Sequence, residues 1–472
     1  MAKLLRSAYL MAANGDNRRI EQMSPNDVAR YEIPISAIHA NTSFRALMTL
    51  LNRPWFQRVW IIQEAAVPSE VELLCGSHSI RWDEFVEMMR FIGTFGLEYI
   101  FTNMGGSRST WTLIVAVRAV IQGGKDIPLL DLLWLSKESL ATDPRDRIFA
   151  LCGLSSNAAQ SGLNIEINYS PTQTPLHVFQ KTAVAMIRHS RNLDILTIPR
   201  RSDKLNPLGL PSWVPDWSSN HEVYALCERN LRQPSDSLPK NDFAASSSTD
   251  YELLLTANGR QLIVSGVYID CMEKLGPSCD FGEVNDATEK AKIDGERTLA
   301  WMDITHAESN ELYKTGESRL DAYWQTFYGG HYGISYEEAK SLFFEHYRRL
   351  TRNHLWLRLG LSRYMGLYKA VNFVDSAVQY LSNGTGNLHR HNKLMAIQRF
   401  RRMGVSKTGY ICLAPSIAEP GDSIFVLKGG AVPFLLRPSE SGSWELIGEA
   451  YVHGIMKGEV WSEADCQSIH IG

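Results

Sequence analysis

Apolar residues recur at helical spacing through the first two hundred positions, then shift to strand-like alternation near the C-terminus. Phe44, Leu47, Leu50 and Leu51 mark a helix over Ser43–Leu51, and Trp82, Phe85, Met89 and Ile92 mark another over Trp82–Ile92. Between them Val71–Cys75 is a short apolar run of strand type. Gly93–Ser109 is glycine-rich and reads as a loop. Trp111–Ile121 and Leu129–Leu135 read as buried helices, and Pro175–Ser190 as an amphipathic one. Arg200–Asn206 is a polar connector and Ser235–Asp250 a surface loop rich in Ser and Asp. Tyr251–Leu255 and Gln261–Cys271 alternate around Asn258–Gly259, a hairpin signal. Helical segments are expected over Asp286–Met302, Leu320–Phe327 and Tyr336–Tyr347, with a further one after His354. Four short strands follow at Thr408–Leu413, Ser423–Leu427, Val432–Arg437 and Trp444–Val452, parted by turns at Gly429–Gly430 and Ser439–Gly442. The hairpin and these strands are expected to build one small barrel, with the intervening helices inserted into it. No internal repeat is visible.

Composition narrows the class. A chain of 472 residues exceeds one ordinary core, and 44% hydrophobic with 21% charged residues is a globular balance. A net charge of −3 offers no basic field for nucleic acid. The seven cysteines (Cys75, Cys152, Cys227, Cys271, Cys279, Cys412 and Cys466) form no C-x-x-C pair, which points to a reducing compartment. Leu4–Ala13 is too weak an apolar run for a secretory signal, and the GDNRRIEQMSPND stretch after it reads as a polar linker. No uncharged apolar stretch is long enough to span a bilayer. These features imply a soluble, cytoplasmic protein.

The densest stretch is NRPWFQRVWIIQE, Asn52–Glu64. It sets Trp55, Phe56 and Trp60 among Arg53, Arg58, Gln63 and Glu64, with Pro54 suited to a helix's first turn. On one continuous helix Phe56, Trp60 and Glu64 share a face, so the indole would flank the carboxylate. The structural reading is a buried amphipathic helix with a satisfied Arg–Glu pair. In DPRDR, Asp143 is expected to cap a helix starting at Pro144, with Asp146 an acid in its first turn and Arg145 and Arg147 projecting outward. There is no P-loop, G-x-G-x-x-G, H-E-x-x-H or G-x-S-x-G. His389 and His391 lack an acidic or Cys neighbour, so no metal is expected. Asp422, after Gly421, is assigned an Asx turn.

RPWFQRVWIIQE resembles the RPWF-x-RVW-x-x-QE signature of the fungal heterokaryon-incompatibility (HET) domain. VELLCGSHSIRW at Val71–Trp82 resembles the segment that follows it there, and ATDPRDRIFALCGL at Ala141–Leu154 resembles the family's second signature. LPSWVPDWS at Leu210–Ser218 and much of Thr408–Glu459 resemble runs common in these proteins. Family segments near Y-x-A-L-S-Y-x-W-G and W-I-D-x-I-C-I-N-Q do not precede Asn52. The resemblance therefore implies the C-terminal part of a HET domain over 1–155. A connector over 156–250 and a barrel over 251–472 follow, the barrel drawn from 251–280 and 405–460 around a helical insertion at 286–403. The implied fold class is α/β, with a partial TIR-like, Rossmann-like HET region, followed by a mixed α+β part. The implied function is fungal non-self recognition linked to programmed cell death, through a protein partner and without a cofactor. HET domains are also related distantly to TIR domains, some of which cleave NAD with a glutamate in a W-x-x-x-E setting. Trp60 to Glu64 matches that spacing, so the alternative implied is an NAD glycohydrolase with Glu64 catalytic and Trp60 flanking it. A third reading is a pure interaction module.

Overall fold

The computed structural model describes residues 25–30, 49–94, 109–155, 163–198, 206–219, 225–226, 243–247, 249–251, 253–257, 259–280, 287–330, 335–358, 394–440 and 442–472. Outside these lie the N-terminal apolar run, most of the expected helix at 43–51, the glycine-rich loop at 95–108, most of the Ser235–Asp250 loop, Asn258, Cys227, His389 and His391. The described residues fall into two compact units. One comprises essentially residues 1–175, and the other the remainder apart from short stretches near 217–220 and 230–233.

The first unit is mostly helical. It contains α1 (Pro25–Arg30), α2 (Pro54–Gln57), α3 (Trp60–Ala66), α4 (Trp82–Thr94), α5 (Ser109–Gln122), α6 (Leu129–Leu135) and α7 (Asp146–Cys152). Its described strands are one antiparallel hairpin, β1 (Glu72–Cys75) with β2 (His78–Arg81). No parallel sheet is found among its described residues. The hairpin turns at Gly76, whose φ of 62° suits a glycine at the first turn position. Phe56, Val59, Ile61, Ile62 and Ala65 are buried with Trp82, Phe85, Met88, Ile114, Val117, Leu132 and Phe149. Phe85 stacks on Phe56 at 6.1 Å and meets Trp82 at 5.5 Å. The C-terminal end of α3 is closed by α5: Arg118 donates to the carbonyls of Ala65, Pro68 and Ser69, and Gln122 to that of Val67. A cation and an amide thus take up carbonyls that a helix end leaves bare.

The second unit begins with α8 (Pro175–Ser190), whose first residue is counted with the other unit, and is dominated by its C-terminal sheet. The strands are β3 (Leu254–Leu255), β4 (Leu262–Leu275), β5 (Arg401–Ser406), β6 (Ile411–Pro415), β7 (Ser423–Leu427), β8 (Phe434–Pro438), β9 (Trp444–Glu449), β10 (Tyr451–Val452) and β11 (Gln467–Ile471). The expected hairpin forms, β3 against β4, and it does join the later strands. β5 and β11 went unread in the sequence, the first because RRMGVS carries two arginines and the second because only Ile469 and Ile471 alternate in it. Pairing runs β4–β11–β9–β8–β7, and β7 pairs with β4 again, so the order returns to its start. The β9–β11 step is parallel, Ile471 opposite Trp444. Met272, Cys412, Ala414, Ile424, Val426, Leu435, Ile447, Val452 and Ile455 share one buried cluster.

Helices α9 (Ala287–Ile304), α10 (Arg319–Phe327) and α11 (Tyr336–Arg358) lie in sequence between β4 and β5. α11 is continuous where two helical segments were expected. Ser318 caps α10 by accepting from the Asp321 N–H at 3.0 Å. Tyr323, Trp324, Phe327 and Phe343 are fully buried, with Phe327 and Phe343 edge-on at 5.4 Å. This helical part clasps the sheet through one turn after β10. The Tyr313 hydroxyl donates to the His453 carbonyl and accepts from the Ile411 N–H, both at 3.0 Å. The imidazole of His453 binds the Glu317 carboxylate through Nε2 and faces the Tyr451 hydroxyl through Nδ1 at 2.9 Å.

Two predictions follow from this packing. Arg401 and Glu449 form a buried ion pair at 2.5 Å, 2% and 3% exposed, and Glu449 also accepts the Leu226 N–H. Glu449→Ala leaves the guanidinium charge buried and is expected to cost roughly 3–5 kcal/mol. Replacing both residues by methionine should cost clearly less, as denaturant unfolding of the two variants will show. Equal losses would mean the charges do not compensate each other. Second, the hydrogen bond from His453 holds the Glu317 carboxyl below its ordinary value of 4.5, outweighing burial. A depressed acid stabilises the fold above its unfolded pKa, and that stability disappears as pH falls through the folded one. Stability measured from neutral pH to below 4.5 should therefore decline more steeply in the parent than in Glu317→Gln.

Candidate functional site

The first signature is not one helix. α2 ends at Gln57, Arg58 is extended at φ −73° and ψ 139°, and α3 starts at Trp60. The break has a partner: Arg58 makes a parallel bridge with Leu140, whose N–H donates to the Gln57 carbonyl at 2.5 Å. The Leu140 carbonyl in turn accepts the Val59 N–H at 2.9 Å. These bonds replace those of a continuous helix, so the shared face expected for Phe56, Trp60 and Glu64 is interrupted. Only Trp60 and Glu64, both on α3, keep their four-residue spacing.

Burial sorts the motif residues. Phe56 is buried at 6%, Trp55, Trp60 and Gln63 are half-buried, and Arg53, Pro54, Arg58 and Glu64 are exposed. The expected buried Arg–Glu pair is thus replaced by charges left in water while the aliphatic side of α3 fills the core. That avoids the desolvation cost of burying them. Trp55 meets Phe56 edge-on at 4.9 Å.

The second signature packs against the first. Leu140, just before it, supplies the bridge, and Gly153, near its end, faces the Gln63 amide: a Cβ there would stand 2.8 Å from Nε2. The two runs are therefore two halves of one joint inside the first unit. Asp143 does not cap a helix beginning at Pro144. α7 starts at Asp146, and Asp143 instead accepts the Arg145 N–H at 2.9 Å, closing a turn. The Asp143 carboxylate also grips the Arg145 guanidinium at Nε (3.0 Å) and Nη2 (2.6 Å), and this contact holds its pKa below the usual value. Arg145 donates further to the Gln173 carbonyl at 3.0 Å. Its guanidinium carbon lies 5.1 Å from the centre of the Tyr169 ring. Asp146 accepts the Tyr169 hydroxyl at 2.6 Å. Arg147 does not project outward but is buried at 5%, donating to the Ser136 and Lys137 carbonyls.

Tyr169 is the member of this cluster that the sequence reading missed. Its signal is the alternation of Leu163, Ile165, Ile167 and Tyr169 in LNIEINY just past the polar break. The group can hold a chain turn and pair charges, and each of its acids and bases is engaged by a neighbour. Cys152, at the end of α7, is buried, and burial pushes its thiol up to about 11, so it stays protonated at neutral pH. None of the six described cysteines is bonded to another. Among the described residues no group of His, Cys, Asp and Glu could hold a metal, and no helix is long and apolar enough to cross a membrane.

In the second unit the family-like runs converge on the sheet. Ser212 accepts the Leu446 N–H on its hydroxyl and donates its own N–H to the Gly472 carbonyl, both at 2.8 Å. The Trp213 indole donates to the Arg260 carbonyl at 3.0 Å. Asp422 does not form the Asx turn expected of it: its carboxylate reaches back to accept the Glu419 N–H at 2.8 Å and takes a two-pronged grip on Arg437 at 2.7 and 2.9 Å.

Residues 261–471 match the family model described as the Het-6 beta-barrel domain. Both this match and the next are to heterokaryon-incompatibility proteins. It is similar to heterokaryon incompatibility protein 6, OR allele, of Neurospora crassa, with 22% identity over 480 residues. The match covers 89% of this chain and 66% of that protein, so the chain spans just under two thirds of the relative's length. No solved structure shows a significant match.

Substitutions separate packing from surface roles at the joint. Phe56→Ala empties a filled core site and is expected to cost roughly 3–5 kcal/mol. Trp60→Ala, at a half-buried position, should cost less, and Glu64→Gln, on the surface, within about 0.5 kcal/mol. Denaturant unfolding of the three variants checks the order. A larger loss for Glu64→Gln than for Phe56→Ala would overturn it.

Proposed function

We propose that this chain acts in fungal heterokaryon incompatibility, as a non-self recognition protein of the cytoplasm whose engagement by a protein partner is linked to programmed cell death. The observation that carries the reading is the similarity to heterokaryon incompatibility protein 6 over 89% of the chain, which takes in both units. The joint between the two HET-like signatures supports it, since the signature residues are arranged as a packing element with charges on its outside. In this reading residues 1–155 are HET-derived, and the ring β4–β11–β9–β8–β7 is a closed barrel that positions the helices inserted between β4 and β5. The chain works without a cofactor and without cleaving NAD, and Glu64 is a surface residue rather than a catalytic one.

Two experiments test the proposal. The gene is introduced into one of two fungal strains, and fused cells are scored for viability and growth. Loss of viability in at least one strain combination, dependent on the introduced gene, is the expected outcome. Unchanged viability in every combination would sink the incompatibility role. Purified protein is then incubated with NAD and nicotinamide release is followed. Release should not exceed that of Glu64→Gln, and a clear excess would restore the enzymatic alternative.

A further inference from the structure

We infer that the β1–β2 hairpin of the first unit is a self-association element, through which β2 of one copy pairs edge to edge with β1 of the next. The hairpin is a two-stranded sheet of four residues a strand, and among the described residues no third strand pairs with either. Two such strands leave both rows of outer backbone groups unpaired, a template for another strand. Its register is Glu72 opposite Arg81, Leu73 opposite Ile80, Leu74 opposite Ser79 and Cys75 opposite His78. The Trp82 N–H donates to the Val71 carbonyl at 2.9 Å, which sets the phase of the ladder. Antiparallel strands alternate inward and outward backbone groups, so Val71, Leu73 and Cys75 turn theirs inward. Glu72 and Leu74 on β1, with Ser79 and Arg81 on β2, turn theirs outward.

The occupant is a second copy of this chain because the two edges complement each other. β1 is preceded by Glu70 and opens on Glu72, whereas β2 carries His78 and Arg81. If the internal register repeats between copies, the outward groups of Glu72 and Leu74 meet those of Arg81 and Ser79 in the phase they need. Each junction then sets a Glu72 carboxylate opposite an Arg81 guanidinium. The face carrying these residues also bears Leu74, at 76% the most exposed large apolar residue described. Stacking hairpins side by side would line these leucines in a row and remove apolar surface from water. Arg81 already meets Glu84 at 2.9 Å, but both are exposed, so that contact yields readily to a junction partner. Since the two edges differ, the contact is heterologous, and the assembly is open-ended unless a rotation closes it.

The test uses the full chain in sedimentation velocity across a dilution series. The parent should show larger species as concentration rises, and Leu74→Lys should abolish them. Glu72→Arg and Arg81→Glu each place like charges at every junction and should each remain monomeric. Mixing those two variants restores opposite charges at every mixed junction while leaving each hairpin's internal clash in place, so association should return only in the mixture. A parent monomeric at all concentrations would overturn the inference. So would single variants that associate as the parent does, or a mixture that stays monomeric. In the first case the hairpin edge is left to a different protein or to the chain's own fold.

Discussion

Strand β4 is the constraint on which the second unit depends. Its fourteen residues pair with four other strands, and no shorter or flatter strand could reach them all. Leu262 and Ile263 lie between β3 and β11. From Gly266 to Cys271 the strand pairs with β7, and from Met272 to Leu275 with β5 on its other edge. Two register shifts, at Tyr268/Asp270 and Met272/Lys274, bend the strand between these partners. Gly266 sits where three strands converge. A Cβ there would stand 2.8 Å from Leu427, 2.9 Å from Ile469 and 2.9 Å from the Val426 carbonyl. Close approach, rather than backbone conformation, is what requires glycine at that position.

The helices between β4 and β5 are tied to this sheet by polar contacts as well as apolar ones. The turn at His453 and Gly454 receives Tyr313, Thr315 and Glu317 from one loop. A Cβ on Gly454, whose φ is 88°, would meet Thr315 at 2.7 Å. The same logic recurs at Glu449, where a buried carboxylate answers Arg401 on β5 and the backbone of Leu226. Polar groups buried at such crossings fix which segments meet, because leaving any one of them unmatched is costly. Segments far apart in sequence, such as Ser212 and Gly472, are joined in the same manner.

In the first unit the corresponding device is the bridge between Arg58 and Leu140. It explains why a run that reads as one helix is two, and why the family-like signatures hold both large aromatics and bare charges. The break lets Phe56 point into the core while Arg58 and Glu64 stay in water. It also brings Leu140, just before the second signature, and Gly153, near its end, against the first. Residues that look like a catalytic constellation in the sequence are thus distributed by packing, with Phe56 inside, Trp60 at the boundary and Glu64 outside.

Much was legible in the sequence because it rests on local periodicity. The bounds of Leu129–Leu135 and Pro175–Ser190, the β3–β4 hairpin and strand β7 follow from apolar spacing and turn residues, which act within a few positions. What escaped depends on partners distant in the chain. The break at Arg58 needs Leu140, the burial of Arg147 needs the carbonyls of Ser136 and Lys137, and Tyr169 matters only where Arg145 and Asp146 receive it. Strands β5 and β11 carry too little alternation to be strands alone. They become so because β4 and β6 offer them backbone groups, and a ladder of hydrogen bonds can order a segment whose own side chains leave the choice open.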